Sequence, residues 1–275
     1  MTVAILLATY NSEKFLKTQL DSILQQTCED WRLYIRDDGS KDSTLLIINE
    51  YKSNDSRISL VNDSYSSLGP AKSFMKLLED VEADYYMFAD HDDYWLPTKV
   101  EESIAKLKTL ELQFSQKPII IHSDLFVVDQ DLEIKQSSFW KSSGIKPNML
   151  KNKNFVQVFN FVTGCTMIFN KKVKELVFPF PGTIPMHDWW LTIQVLRSGG
   201  IIEELEKPLI YYRQHGMNEV GAKNVNGKYF LNKLLNMKNT VKIQLDHVNF
   251  LKDISGLNII QYYWYKLYYT FLRKI

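Results

Sequence analysis

The chain has 275 residues, 45% hydrophobic and 24% charged, which suffices for one large buried core plus an appendage. A formal net charge of +1 with no block of five like charges removes the electrostatic case for nucleic acid as a partner. Cys28 and Cys165 stand far apart and match no metal-ligand spacing, so both are expected as buried thiols in a reducing compartment, without a disulfide.

The opening Met1 to Asn11 has a short apolar run without a basic flank or small-residue cleavage site, and no later run approaches bilayer length. The expected location is therefore the cytoplasm. Thr2 to Ala8 reads as a buried strand, and Phe15, Leu16, Leu20, Ile23 and Leu24 share the next helical face, with Asn11 or Ser12 as its cap. Trp31 to Arg36 follows as strand, then Ser43 to Tyr51 as a helix bearing Leu45, Ile48 and Tyr51. Ile58 to Val61 is strand, Pro70 to Glu79 helix, Tyr85 to Ala89 strand and Thr98 to Leu112 helix. Strict alternation predicts right-handed crossovers and a mostly parallel sheet flanked by helices, an α/β fold with ligands beyond the carboxyl ends of the strands. Three ends fit that rule: Thr9-Tyr10-Asn11, Asp37-Asp38-Gly39-Ser40 and Asp90-His91-Asp92-Asp93.

Beyond residue 113 the alternation loosens. Pro118 to His122, Leu125 to Val128 and Thr166 to Phe169 look like strands, the last following Thr163-Gly164. Ser137 to Asn154, polar and lysine-rich, reads as a mobile loop over the pocket mouth. Pro185-Met186-His187-Asp188-Trp189-Trp190 opens a helix carrying Leu191, Val195 and Leu196. Ile201 to Leu205 and Leu209 to Tyr212 are strand-like, the latter running into Arg213-Gln214-His215. From Lys223 the pattern turns helical and aromatic, giving an expected division into residues 1–222 and a helical region 223–275.

The most telling stretch is Met87 to Trp95, in which an apolar run delivers Asp90, Asp92 and Asp93 into one turn. Crowded carboxylates repel, so a proton, an arginine, hydration or a divalent cation must offset them, and hard oxygen ligands suit magnesium or manganese held between carboxylates and phosphates. An isolated Asp-x-Asp-Asp is equally explained as a solvated turn capping the helix after Pro97. Asp37-Asp38-Gly39-Ser40 is by itself an ordinary turn, and the Gly69-Pro70-Ala71-Lys72 helix entry offers Lys72 or backbone amides to a phosphate.

Together, Ala8-Thr9-Tyr10-Asn11, Arg36-Asp37-Asp38-Gly39-Ser40, Phe88-Ala89-Asp90-His91-Asp92-Asp93, His187-Asp188-Trp189 and Tyr212-Arg213-Gln214-His215 resemble, in order and spacing, family 2 glycosyltransferases, which have the GT-A fold. The resemblance covers roughly residues 1 to 220. Within that family, Tyr94 to Lys99, Met186 to Trp190 and Tyr211 to Asn218 are most similar to bacterial rhamnosyltransferases of cell-surface polysaccharide synthesis, although relatives with similar motifs move glucose, galactose or N-acetylglucosamine.

The resemblance implies an inverting, metal-dependent transferase that uses Mn2+ or Mg2+. Its donor is a nucleotide sugar, dTDP-rhamnose first and a UDP-hexose second, and its acceptor a glycan on a lipid or protein carrier. Thr9, Tyr10, Asn11 and Asp38 would hold the nucleoside, with Lys72 near phosphate. Asp92 would ligate the metal directly, Asp90 would reach the ribose or a metal-bound water, and Asp93 would cap the following turn. Asp188 aligns with the catalytic base, the one carboxylate an inverting transfer needs. His215 is a further metal ligand or a diphosphate donor, and Arg213 pairs with phosphate or with Asp188. His187, Trp189 and Gly164 would lie around the diphosphate or acceptor, and Trp140, Trp189 and Trp190 are candidates to stack on a sugar. Without the other motifs, His187-Asp188-Trp189 reads as a helix cap with buried aromatics. A rival from another class is a non-catalytic nucleotide-sugar-binding scaffold subunit whose tail recruits a partner transferase. The aromatic tail, with Lys266, Arg273 and Lys274, fits either a subunit interface, giving a homo-oligomer, or an amphipathic helix on the inner membrane face.

Overall fold

The computed structural model describes residues 2–181, 184, 186–215 and 237–272. The expected domain boundary at 222/223, and Gly216 to Asn218, Arg273 and Lys274, lie outside them.

The first half alternates as its hydrophobic pattern dictates: β1 (Val3–Thr9), α1 (Leu16–Leu24), β2 (Trp31–Asp37), α2 (Thr44–Asn54), β3 (Ile58–Leu60), α3 (Pro70–Asp80), β4 (Tyr85–Asp90), β5 (Tyr94–Trp95) and α4 (Lys99–Gln113). The second half contains β6 (Ile119–Val128), β7 (Ile134–Gln136), α5 (Phe139–Ser143), α6 (Pro147–Leu150), β8 (Met167–Asn170), α7 (Lys171–Val177), α8 (His187–Arg197), β9 (Ile201–Arg213), α9 (Met237–Ser255) and α10 (Ile259–Leu272). Among the described residues the strands form one sheet in the order β3-β2-β1-β4-β8-β6-β9-β5, with β7 on β6. From β3 to β4 every pairing is parallel; β8 then enters antiparallel between β4 and β6, and β9 runs parallel to β6. The sheet is thus parallel from β3 to β4 and mixed beyond.

Strand β1 is buried on both faces, as a central parallel strand must be. Val3, Ile5 and Leu7 point into a core with Leu16 and Leu20 of α1, Ile48 of α2 and Val100 and Leu107 of α4. Ala4 and Leu6 point into a second core with Phe74 and Leu78 of α3, Val173 of α7 and Leu191 of α8. The C-terminal helices join that second core: Val248 and Leu251 of α9 and Tyr262 and Tyr269 of α10 are at most 6% exposed.

Several sequence expectations change. Neither Asn11 nor Ser12 caps α1 by its side chain; Phe15 is the N-cap and the Ser12 carbonyl accepts from Leu16 N–H. Leu45 is 38% exposed, and Ile47 takes the inward position beside Ile48. Cys28 is only half-buried, and both thiols are free. The two strands expected between 118 and 128 are one, β6, because Ser123 and Asp124 are carried through the core rather than ending it. The two expected between 201 and 212 are likewise one, β9. Ser137 to Asn154 is not a simple loop: Asp124 accepts from Phe139 N–H, Trp140 N–H and the Ser138 hydroxyl, which fixes α5, and Leu150 of α6 is 1% exposed.

If α9 belongs to the same cooperative core, Leu251→Ala is expected to cost about 2–5 kcal/mol of unfolding free energy. Leu267→Ala, at a site 70% exposed, should stay within about 0.5 kcal/mol. Urea denaturation of the two variants checks this contrast.

Candidate functional site

Parallel register sets the ends of β1, β2 and β4 side by side, with Thr9 opposite Asp37 and Ala8 opposite Asp90. The two loops leaving β1 and β2 are laced together. Asp37 accepts from the Thr9 hydroxyl at 2.9 Å, from Gly39 and Ser40 N–H, and from the Ser40 hydroxyl. Asn11, in the left-handed region at φ 48°, donates its N–H to Ser40 Oγ and accepts from Lys41 N–H through its side chain. Asn11 therefore shapes the rim through its loop bonds, while Tyr10 beside it is 52% exposed.

Asp38 is 6% exposed. Its Oδ1 accepts from Arg36 Nη1 at 2.8 Å and Leu68 N–H at 2.9 Å, and its Oδ2 from Gly69 N–H at 2.8 Å. A further acceptor direction remains on Oδ2. Arg36, 1% exposed, also binds Asp63 and the Tyr65 carbonyl, so one buried guanidinium ties β2 to the loop before α3. Burial would lower its pKa, but its bonds to Asp63 and Asp38 outweigh that and hold the pKa above the usual value. Lys72 lies exposed in the first turn of α3.

The acidic turn does not cap the helix after Pro97. It enters β5, whose Tyr94 and Trp95 pair antiparallel with Tyr211 and Ile210 of β9. That pairing brings the end of β9 against the turn. Arg213 N–H donates to Asp93 Oδ1 at 3.2 Å, its Nε donates to the Asp92 carbonyl at 2.8 Å, and its Nη1 donates to the Gln130 carbonyl. Its guanidinium packs 4.6 Å over the Phe15 ring. Arg213, 4% exposed, thus binds the acidic turn and the Gln130 carbonyl. Asp93 accepts from Arg213 instead of capping the next turn, and it is fully buried. His215 Nε2 sits 2.8 Å from Asp92 Oδ2, so these two expected ligands do meet.

Burial, then the charges of Asp92 and Asp188, push the Asp90 carboxyl up to about 7. Burial, then Asp92 and Asp90, raise Asp93 well above the carboxylate range. Behind them lie two groups missed in the sequence. Cys165 Sγ and carboxylate oxygens of Asp90 and Asp93 lie within 4.8 Å of one another. Lys99, fully buried 4.2 Å over the Trp95 ring, is pushed down to about 7 by burial, against the pull of Cys165 and Asp93. A signal for Lys99 existed, since it falls one turn before Ser103 and two before Leu107 on the buried stripe of α4.

The opposite wall comes from α8. Asp188 stands in its first turn, 7% exposed, where unsatisfied backbone N–H groups favour an anion. Its Oδ2 accepts from Gly164 N–H at 2.9 Å and its Oδ1 from Trp189 N–H at 2.6 Å, with Asn160 as a further side-chain partner. Burial outweighs these bonds and lifts the carboxyl to about 6.

His187, expected around the diphosphate or acceptor, lies in the core beneath Asp188. It is 5% exposed with its ring 4.3 Å from Phe74 and 4.7 Å from Phe88, and burial pushes it down to about 3, so it stays neutral. Trp189 is stacked on His247 of α9 at 4.2 Å and donates to the Val156 carbonyl. Trp190 is core, donating to the Val177 carbonyl, and Trp140 packs near His122. Gly164 holds Asp188 by its N–H, and a Cβ there would stand 2.7 Å from His187 Nε2.

Asp90, Asp92 and His215 suit a hard divalent ion. The Asp92 carboxylate meets the His215 imidazole at the rim, and burial, then the charges of Asp92 and Asp188, raise the Asp90 carboxyl, so donors of the kind a hard divalent ion takes stand there. Asp93, engaged by Arg213 and fully buried, stands outside that set.

The model of the family described as "Glycosyl transferase family 2" matches residues 4–177. A dTDP-rhamnosyl transferase, RfbG of Shigella flexneri, is 29% identical over 226 residues, covering 78% of this chain and 74% of that protein. WfaP of Escherichia coli, described as a UDP-Glc:alpha-D-GlcNAc-diphosphoundecaprenol beta-1,3-glucosyltransferase, is 28% identical over 215 residues, covering 78% and 77%. Residues 1–349 of S. aureus TarS in complex with UDP superpose with a TM-score of 0.59 at 20% identity, covering 78% of this chain; the chain spans 61% of that structure. The fold is therefore GT-A.

Gly164→Ala is expected to leave the protein folded while displacing the Asp188 carboxylate. Donor turnover should fall about 10- to 100-fold, measured beside a thermal melt.

Proposed function

The chain belongs to glycosyl transferase family 2 and transfers a sugar from a nucleotide sugar, and from that premise we propose an inverting, metal-dependent transfer in which Asp188 is the base. The observation that carries this reading is the 2.8 Å meeting of Asp92 with His215 on one wall, beside an Asp90 that burial, then Asp92 and then Asp188 on the other wall, raises.

In this mechanism Thr9, Tyr10 and Asp38 line the nucleoside side, and the amino end of α3 with Lys72 faces phosphate. Asp90, Asp92 and His215 would hold the divalent ion, Mn2+ or Mg2+, which when bound would supply charge neutralisation for the departing diphosphate. Arg213 keeps the acidic turn in place through its bonds to Asp92 and Asp93. On the opposite face of the sugar, Asp188 accepts the proton of the acceptor hydroxyl while its oxygen bonds to the anomeric carbon and the bond to diphosphate breaks. Gly164 and Trp189 N–H groups fix the carboxylate in orientation and leave its remaining lone pairs for that proton.

We take dTDP-rhamnose as the first donor to test, on the motif string around residues 186–218 and the likeness to RfbG, and UDP-glucose as the second, on the likeness to WfaP. The acceptor is a glycan on a lipid carrier, the class of molecule in the description of WfaP. A donor screen with and without manganese separates the two: turnover with neither nucleotide sugar would overturn the reading.

Asp188 must be ionised to act, and its pKa is raised to about 6. The expected kcat/KM is therefore level above that value and falls as pH drops through it. Asp188→Asn should lower kcat by about 10²–10⁴-fold with donor KM little changed. Asp92→Ala should abolish the response to manganese and weaken manganese binding in calorimetry. Wild-type kcat in Asp188→Asn would remove the base assignment.

A further inference from the structure

Helix α10 has two unlike faces. Tyr262 and Tyr269 turn inward to the core. Ile260, Trp264, Leu267 and Phe271 turn outward, each at least 64% exposed, at spacings of four, three and four residues that align them in one stripe. A continuous apolar stripe on a folded chain marks a contact surface, whereas scattered apolar residues do not.

Charge selects what covers it. Helix α10 carries no acidic residue and one cation, Lys266. The segment it packs against, 137–154, also lacks any acid and contains Lys141, Lys146, Lys151 and Lys153. Tyr269 Oη accepts from Lys146 N–H, and Phe155 rests against Tyr268. Lys146 and Lys151 are engaged, with the Leu272 carbonyl and with Glu203 and Glu204, while Lys141 and Lys153 are exposed.

A second copy, related by a two-fold axis, would set Lys141 and Lys153 near themselves, with no acid on α10 or on 137–154 to pair with. An anionic bilayer has the complementary sign, and tryptophan with aliphatic side chains above a lysine rim is the composition of an in-plane interfacial helix. No helix among the described residues is long and apolar enough to cross a membrane. The helix rests on the Asp188 wall through its inward face: Tyr262 lies 5.7 Å from the His247 ring, and His247 stacks on Trp189, the neighbour of Asp188.

We propose that the outward stripe of α10 lies in the headgroup region of an anionic bilayer and holds the Asp188 wall against a membrane-borne acceptor. The docking rests on the stripe and its charges alone; its purpose rests on the acceptor reading above.

The test is flotation of the full chain with vesicles of equal parts phosphatidylglycerol and phosphatidylethanolamine, beside pure phosphatidylcholine vesicles. Wild type should float with the anionic vesicles, less so at high salt, and poorly with phosphatidylcholine. The triple variant Trp264→Ser, Leu267→Ser, Phe271→Ser should lose about tenfold or more in vesicle binding, and Lys141→Glu with Lys153→Glu should lose the preference for anionic lipid. Hydrolysis of the donor in solution should be unchanged in both, which also shows that they fold. A wild-type chain that stays out of the anionic vesicles would overturn the proposal. So would a dimer, seen by light scattering, that the triple variant splits while vesicle binding is absent: a second copy would then cover the stripe. Intact flotation with full transfer by Asp188→Asn would instead sink the acceptor-wall reading and leave the docking standing.

Discussion

Three carboxylates within four residues at the end of a buried strand are the constraint around which the site is arranged. Asp93 is fully buried and Asp92 8% exposed, and neither position would be tolerable for an uncompensated anion. The compensation is drawn from distant parts of the chain. Arg213 arrives on β9 and binds the backbone at Asp92, Lys99 arrives at the start of α4, and His215 follows Arg213 to Asp92 Oδ2. Each depends on the short pairing of β5 with β9 or on the packing of α4 beneath Trp95. Burial, then the charges of Asp92 and Asp188, leave the Asp90 carboxyl raised to about 7, a charge that the divalent ion of the proposed mechanism would offset.

The opposite wall follows a different rule. Asp188 is stabilised by N–H groups of α8 and of Gly164, yet burial dominates and leaves it basic enough to accept a proton near neutral pH. The neutral His187 below it supplies shape only, filling the space between Phe74 and Phe88 and forcing a glycine at position 164.

The alternating half of the fold was legible because its strands and helices announce themselves by period, and the positions of Thr9, Asp38, Asp90 and Asp92 followed from polar groups at strand ends. The remainder was not, for identifiable reasons. A two-residue strand such as β5 has no periodic signal. Ser123 and Asp124 read as a break within β6, although Asp124 is satisfied by the helix it caps. Side-chain direction was also hidden: Arg213, His187 and Trp189 were expected to face ligand, and tertiary packing turns the first against the acidic turn, the second into the core and the third onto His247. Lys99 and Cys165 escaped because a buried lysine or thiol behind a site is defined by what surrounds it.

The pairing of β6 with β9 slips twice. Ser123 faces Leu205 and Asp124 faces Pro208, and Phe126 then faces Tyr211. Three extra residues of β9 are absorbed there, and the alternation resumes with Arg213 opposite Val128. Because a strand exposes its side chains to opposite faces in turn, the parity of this surplus decides which face Arg213 and its neighbours occupy. Gain or loss of a single residue between Leu205 and Tyr211 would turn the arginine away from the carboxylates, so inherited length variation in this protein should be confined to connections elsewhere and forbidden in this strand.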